Sequence, residues 1–470
     1  MTPGLPPGLR ARLLPVIVAS PILLQNVDTT VMATALPTIA RALDVEPLRL
    51  NLAITAYLIS LAVFLPLAGW CAERFGARRV FCAAIGFFAL GSGLCGMATT
   101  LPQLVAFRVI QGLGGALMVP VGRLLLMRNI DASQMIGAMV WFTIPPVIGR
   151  LLGPLFGGAI VTWTSWRWIF LINVPLALAA IALALLFVDE SREPGPPPPF
   201  DAGGFVLLAI GMTGLQVALD TAGHRIAPAW FSWTVAAAGA AALYAYLRRS
   251  RDQAQPLIDP AILRIRTYRA SQFGGMPLRI AIGASPFLLS LMFQLGFGLT
   301  PLTSGALTVA SALGALATRT MMTRFIHRFG FRRLLIGAAI MTGLMYSCYG
   351  LFRPETPHWV IFGTLLIGGL VNSMVMVSLQ VLGYTEMPQD RMSHATTLAT
   401  MLQQLSFGFG VVLGAGLVSA VALWRDGDPS HLTAFDFMPA FVVIGIGTLL
   451  SLAWFFRLHP EDGETLRSRR

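Results

Sequence analysis

An aspartate in the middle of an apolar run is the first residue here whose type and setting point to chemistry. Asp28 lies in Gln25-Asn26-Val27-Asp28-Thr29-Thr30-Val31-Met32-Ala33-Thr34-Ala35-Leu36-Pro37, about two turns before the proline. The run starts near Leu13 and is long enough to cross a bilayer. Asp28 reads as the one carboxylate deep inside any of the chain's hydrophobic spans. An ionised Asp at that depth costs about 2.5–3.5 kcal/mol on insertion scales, so such residues are rare and mark ion or proton paths. The bland alternative is an Asp near a helix end that snorkels to water. Three arginines inside apolar spans, Arg108, Arg150 and Arg279, are the candidate counter-charges.

Helix geometry selects among them. Arg108, Gly112 and Gly115 share one helix face at i, i+4 and i+7, and the glycines let a neighbouring backbone approach. With the first span running outward and the fourth inward, Asp28 and Arg108 sit at the same depth, roughly 9–13 Å below the outer surface. Equal depth permits contact. Burial favours a neutral carboxyl and a guanidinium favours a charged one, and that competition would make Asp28 a proton carrier and Arg108 the group that sets its affinity. The alternative is a static buried ion pair, which is still costly to break.

The elements that hold these residues follow from composition. Of the 470 residues 56% are hydrophobic and 11% charged, where soluble domains carry about 25% charged residues. The formal charge of +12 suggests nucleic acid at first sight, but the cations sit in short loops between apolar spans, so no nucleic-acid stripe is implied. There is no lysine, which excludes a Walker A loop and Schiff-base chemistry. Cys71, Cys82, Cys95 and Cys348 show no disulfide or metal spacing, and the scattered histidines form no nucleophile–base pair. An enzymatic role has no support.

A window of about 20 residues finds fourteen spans, near 13–36, 50–70, 79–99, 102–123, 136–160, 165–187, 203–220, 229–247, 271–294, 302–322, 333–351, 358–383, 394–422 and 436–457. The first resembles a signal peptide but runs full length, so it reads as a helix of the mature protein. With both termini on one side, that side collects 24 of the 33 arginines and the opposite loops hold 6. This bias puts both termini in the cytoplasm.

Arg74-Phe75-Gly76-Ala77-Arg78-Arg79 recurs as Arg328-Phe329-Gly330-Phe331-Arg332-Arg333, each in a short cytoplasmic loop. Internal repeats of this kind build secondary transporters with a mid-membrane site between the halves. The spacing exceeds six spans by one helix pair. The reading is therefore a six-helix bundle at 1–190, a linker and inserted pair at 191–255, and a second six-helix bundle with a tail at 256–470. The Pro-rich run after Glu193 is a stiff spacer.

Four motifs now carry a resemblance that runs nearly end to end. Asp28-Thr29-Thr30-Val31-x-x-Thr34-Ala35-Leu36-Pro37 resembles a first-helix motif. Gly69-x-x-x-Glu73-Arg74-x-Gly76-x-Arg78-Arg79 resembles a loop signature between helices two and three. Arg108-x-x-Gln111-Gly112-x-Gly114-Gly115-Ala116 resembles a helix-four motif, and Gly149-x-x-x-Gly153-Pro154-x-x-Gly157-Gly158 a helix-five motif of antiporters. The chain resembles the major facilitator superfamily, of the fourteen-helix drug:proton antiporter type (EmrB/QacA-like) and within it the MdtD-type proteins. The implied fold is an all-α integral membrane protein with two six-helix bundles plus two additional central helices, 14 transmembrane helices in all. The implied activity is proton-coupled export by alternating access, with no cofactor and no metal.

Two places are candidate gates. Glu73 with Arg74, Arg78 and Arg79 around Gly76 could latch the cytoplasmic face, or could be a solvated loop that only sets orientation. Glu stands at 73 where Asp is more usual, and His327 takes its place in the second copy. Gly149, Gly153 and Gly157 make a flat groove beside Pro154 and Gly158, read as a sealing seam or as plain packing. Arg150 departs from the small residue or proline expected there.

Candidate cavity residues are Asn26, Tyr57, Gln111, Trp141, Arg150, Arg279, Gln294, Asn372 and Gln404, each equally compatible with helix-packing polarity. Cation-exporting relatives often carry a carboxylate in the thirteenth span, and Met401-Leu402-Gln403-Gln404 has none. The excess of buried arginine points to anionic or zwitterionic cargo, such as a polycarboxylate or metal chelate, over a lipophilic-cation multidrug range. Rival readings are an uptake symporter and a non-transporting membrane sensor on the same fold. The resemblance implies a bacterial inner membrane, a monomer in the lipid bilayer, and a small-molecule substrate exchanged for protons. A periplasmic adaptor and outer-membrane channel serve some family members, but no docking surface for them is encoded here.

Overall fold

Peptide groups in a bilayer have only each other to bond with, so a chain of apolar runs must fold as helices. The computed structural model describes residues 7–130, 134–190, 199–224, 228–253, 256–426 and 432–459, and its regular elements are all helical. In chain order they are α1 (Pro7–Ala42), α2 (Asn51–Phe64), α3 (Leu67–Phe75), α4 (Ala77–Met97), α5 (Leu101–Asn129), α6 (Met135–Trp163), α7 (Trp168–Leu171) and α8 (Asn173–Phe187). There follow α9 (Ala202–His224), α10 (Ala229–Asp252), α11 (Arg266–Arg269), α12 (Gly275–Leu291), α13 (Pro301–Gly350), α14 (His358–Thr385), α15 (Met392–Asp426), α16 (Ala434–Thr448) and α17 (Leu452–Phe455). Two π-helical turns, Ala270–Gly274 and Met292–Gly296, bracket α12.

Local sequence explains several boundaries. Thr100 and Thr300 cap α5 and α13 by accepting from the N–H groups of Gln103 and Thr303, with a proline in the first turn. Thr433 and Asp436 form a capping box on α16. Pro37, read from sequence as near the outer end of the first span, lies inside α1, which continues to Ala42. Asp28 therefore sits more than a turn deeper from that end than the sequence suggests.

Helix covers all fourteen expected stretches, but twelve among the described residues are long and apolar enough to cross a membrane. The two others are α10, an alanine-rich helix ending in Arg248, Arg249, Arg251 and Asp252, and the second arm of α13, which opens on Arg332 and Arg333. Glycine, serine and tryptophan among its alanines lower the hydropathy of the first, and the paired arginines lower that of the second.

The chain divides into two compact units, one of Met1–Val45 with Leu52–Ala202, the other of Glu46–Asn51 with Gly203–Arg470. The inserted helices α9 and α10 belong to the second. In the first unit α1 packs along α6, α4 along α5, and α8 against α4 and α1. In the second, α13 packs on α14 and α16, and α12 on α15, around a core that includes Leu278, Leu335, Val375, Leu379 and Phe455.

The two copies of the loop repeat share a backbone device. Gly76, between α3 and α4, has φ +92°, and Gly330, the kink that divides α13, has φ +70°. A side chain is strongly disfavoured in either conformation, which is why both turns carry glycine.

Candidate functional site

The N-terminal unit gathers its charge at Asp28. Close helix packing makes this feasible: a Cβ on Gly112 would lie 2.9 Å from Tyr57 O of α2, and one on Gly114 would strike the α4 backbone at Ala84 and Phe88. Ser60 Oγ of α2 also donates to Val109 O at 2.7 Å. With α2 and α4 held against α5, Arg108 reaches across to α1.

There Arg108 Nη1 donates to Asp28 Oδ2 at 2.6 Å and to Gln111 Oε1 at 2.7 Å. Gln111 Nε2 returns a bond to Asp28 Oδ1 at 2.9 Å, closing a ring of three side chains. Arg108 Nε donates to Ala53 O at 3.3 Å, and the guanidinium lies 4.5 Å from the Tyr57 ring centroid. Asn173 of α8 donates to Ser92 Oγ at 3.0 Å and, at the limit of a hydrogen bond, to Asp28 Oδ1 at 3.5 Å. Asp28 is 3% exposed and Arg108 1%. Four helices thus satisfy a buried pair, the condition for such a pair to persist in low dielectric.

The glycines of α6 hold α1 in register. A Cβ on Gly149 would lie 2.8 Å from Leu23 O, one on Gly153 would strike Thr30 Oγ1, and one on Gly157 would lie 2.9 Å from Val31 Cγ1. Contacts at 149, 153 and 157 climb α1 at 23, 30 and 31, so the helices run parallel along this seam. Arg150, exposed on the same helix, donates from Nε to Asn26 Oδ1 at 2.7 Å. Pro154 and Gly158 lie on the same helix, and Trp141 is 43% exposed.

At the loop signature the acid that binds the arginines is Glu190, just past α8. It accepts from Arg78 N at 3.1 Å and pairs with Arg79 Nε at 3.6 Å, while Arg78 Nη1 donates to Val188 O at 3.1 Å. Glu73 and Arg74 make no ion pair among the described residues, and Gly69 has open space around it. The side chain of His327 lies outside the described residues.

In the second unit Arg279 of α12 is buried and donates to Gln272 Oε1 at 2.9 Å. Gln294 donates to Ser290 Oγ at 2.9 Å and Asn372 to Tyr346 Oη at 3.5 Å. Gln404 of α15 is half-buried. The structure thus joins Asp28, Arg108, Gln111 and Tyr57, separately joins Asn26 to Arg150, and gives Arg279, Gln294 and Asn372 separate partners within the second unit.

Asp28 is not the lone buried carboxylate of the apolar helices: Asp220 in α9 is 5% exposed and accepts from Asn51 Nδ2 at 3.2 Å. Its place at the end of a short span hid it. Asn173, Ser92 and Glu190 were also missed. Asn173 carried a signal, being a lone amide in an otherwise apolar span.

Comparison with known proteins bears on the family and the fold. A family model described as Major Facilitator Superfamily matches residues 22–411 and 272–470. The chain is 35% identical over 450 residues to a protein of Salmonella typhimurium named putative multidrug resistance protein MdtD, covering 95% of this chain and 94% of that one. The corresponding Salmonella typhi protein is 34% identical over the same length. Among solved structures, a D-xylose–proton symporter superposes with TM-score 0.68 at 15% identity over 97% of this chain and 99% of that one. The POT family transporter PepTSo gives 0.69 at 15% identity over 97% and 100%. At such identities the structural likeness speaks for the fold alone.

Proposed function

The chain belongs to the major facilitator superfamily, a family of transporters and not of enzymes, and from that premise we propose that it is a proton-coupled exporter of small molecules. The observation that carries the reading is the ring of Asp28, Arg108 and Gln111, a carboxylate sealed between helices with each oxygen engaged. A proton arriving on Oδ2 cancels the charge that holds Arg108. The guanidinium keeps Ala53 O, Gln111 Oε1 and the Tyr57 ring as partners, so it stays placed while the ion pair dissolves. Proton uptake and the arrangement of α1 against α5 are thereby linked, as an alternating-access carrier requires.

The carrier sits in a bacterial inner membrane as a monomer with both termini cytoplasmic, on the arginine distribution, and with fourteen spans once α10 and the second arm of α13 are counted. Glu73, Arg74, Arg78, Arg79 and Gly76 form the cytoplasmic gate, now with Glu190 as its acid. The α1–α6 seam at Gly149, Gly153 and Gly157 moves with α1. The multidrug names of the relatives support export over uptake, and a periplasmic adaptor and outer-membrane channel stay optional to the scheme.

Purified protein in liposomes with an imposed pH gradient and an entrapped pH dye tests this. Adding a transported solute is expected to drive a proton flux opposite to the solute, and Asp28→Asn to abolish it. Flux in the same direction as the solute would mean symport, and no flux of either would mean a sensor. Undiminished flux in Asp28→Asn would remove the carboxylate from the mechanism.

A further inference from the structure

Among the described residues Arg279 is a buried cation without an ion-pair partner. It lies near the middle of the helical run Arg266–Gly296, 4% exposed. None of the ion pairs among the described residues includes it. Nη1 donates to Gln272 Oε1 at 2.9 Å, and Nε is buried with no acceptor. Gln272 belongs to the π-helical turn Ala270–Gly274, a kind of insertion frequent at functional sites. Its neighbour Ser271 is already committed to Leu379 O at 2.6 Å, and Tyr268 Oη to Ala395 O at 2.8 Å.

The first unit supplies the contrast. Carrying Asp28 forward by the spacing between the two loop copies lands on Ile282, one turn from Arg279. One half-repeat thus opens with a helix whose acid has its base, the other with a helix whose base has no acid. An uncompensated guanidinium at mid-span is costly, and in membranes such a residue marks a solute or ion path. Its planar fork, held from one side by Gln272 with Nε left open, has the shape that grips a carboxylate through two parallel bonds.

We propose that Arg279 anchors a carboxylate group of the transported solute, with Gln272 orienting the guanidinium. This rests on the transporter reading and names its substrate class as organic carboxylates.

Binding to the purified full-length protein in detergent, in chloride-free buffer, tests the site without requiring transport. Tryptophan fluorescence and the thermal midpoint are read against succinate, benzoate, inorganic phosphate, chloride and tetraphenylphosphonium. Succinate or benzoate is expected to bind and to raise the midpoint. Arg279→Gln is expected to weaken binding about ten- to a hundredfold, and Arg279→Lys less, because a point charge keeps attraction but loses the fork. Should Arg279→Gln not yield monodisperse protein, Gln272→Leu keeps the charge and is expected to weaken carboxylate binding several-fold. No carboxylate binding to the wild type, or binding unchanged in both variants, overturns the proposal. So does phosphate or chloride competing as well as succinate, which would make this an inorganic anion site. Arg279-dependent binding without solute counterflow in liposomes would sink the transporter reading and leave the site standing.

Discussion

The backbone N–H of Arg78 donates to Glu190 Oε1 at 3.1 Å, across 112 positions of chain. The carboxylate lies directly over Gly76, where an added Cβ would meet Oε1 at 2.6 Å and the backbone has φ +92°. The first loop copy is thus closed by an acid from beyond α8, whereas a Cβ on Gly330 would meet nothing within 4 Å.

That asymmetry gives unequal costs for the same substitution. Gly76→Ala and Gly330→Ala each force a side chain into glycine-only backbone, at about 1–3 kcal/mol. Gly76→Ala also displaces Glu190, so it should lower the thermal midpoint in detergent more than Gly330→Ala. Adding Glu190→Ala to Gly76→Ala should return part of the difference. Equal midpoints would mean the acid is not seated there.

Removing one member of the buried pair strands the other. Asp28→Asn or Arg108→Gln alone should destabilise by about 3–5 kcal/mol, with the double variant costing less than the sum. A thermal-midpoint cycle in one detergent measures the coupling. Additive effects would show that the two groups are not paired in solution.

The ring of Tyr57, not its hydroxyl, faces the guanidinium at 4.5 Å. Tyr57→Phe should therefore keep proton-coupled flux near the wild-type rate, while Tyr57→Leu loses about 0.5–2 kcal/mol of cation–π attraction and flux falls with it. Equal loss in both would shift the role to the hydroxyl.

Along the α6 seam the obstruction differs from glycine to glycine. Gly153→Ala collides with the Thr30 side chain and Gly149→Ala with the Leu23 carbonyl. Each should cost about 1–3 kcal/mol through overpacking. Thr30→Ala should rescue the first in part, and no side-chain change on α1 should rescue the second. Expression level and size-exclusion profile of the four proteins would report this, and rescue of Gly149→Ala by Thr30→Ala would contradict the assigned contacts.

Much of the architecture was legible in the chain itself. Apolar runs of bilayer length specify helices, and the twice-used Arg-Phe-Gly loop marks two turns with the same positive-φ glycine, because each depends on local composition. The pairing of Asp28 with Arg108 was likewise readable from helix geometry, although α1 runs past Pro37 to Ala42 and the distance of Asp28 from its outer end was underestimated. Which helices stand side by side is not encoded in height or period. Gln111 reads as a cavity amide until α5 is rotated against α1, where it bonds both Asp28 and Arg108. Glu190 reads as a loop acid until the end of α8 meets Gly76, and Asp220 as a helix-end acid until Asn51 covers it. Only the tertiary packing decided these, because a partner for a buried charge is chosen by lateral neighbours, and those are set by the fit of whole helix faces.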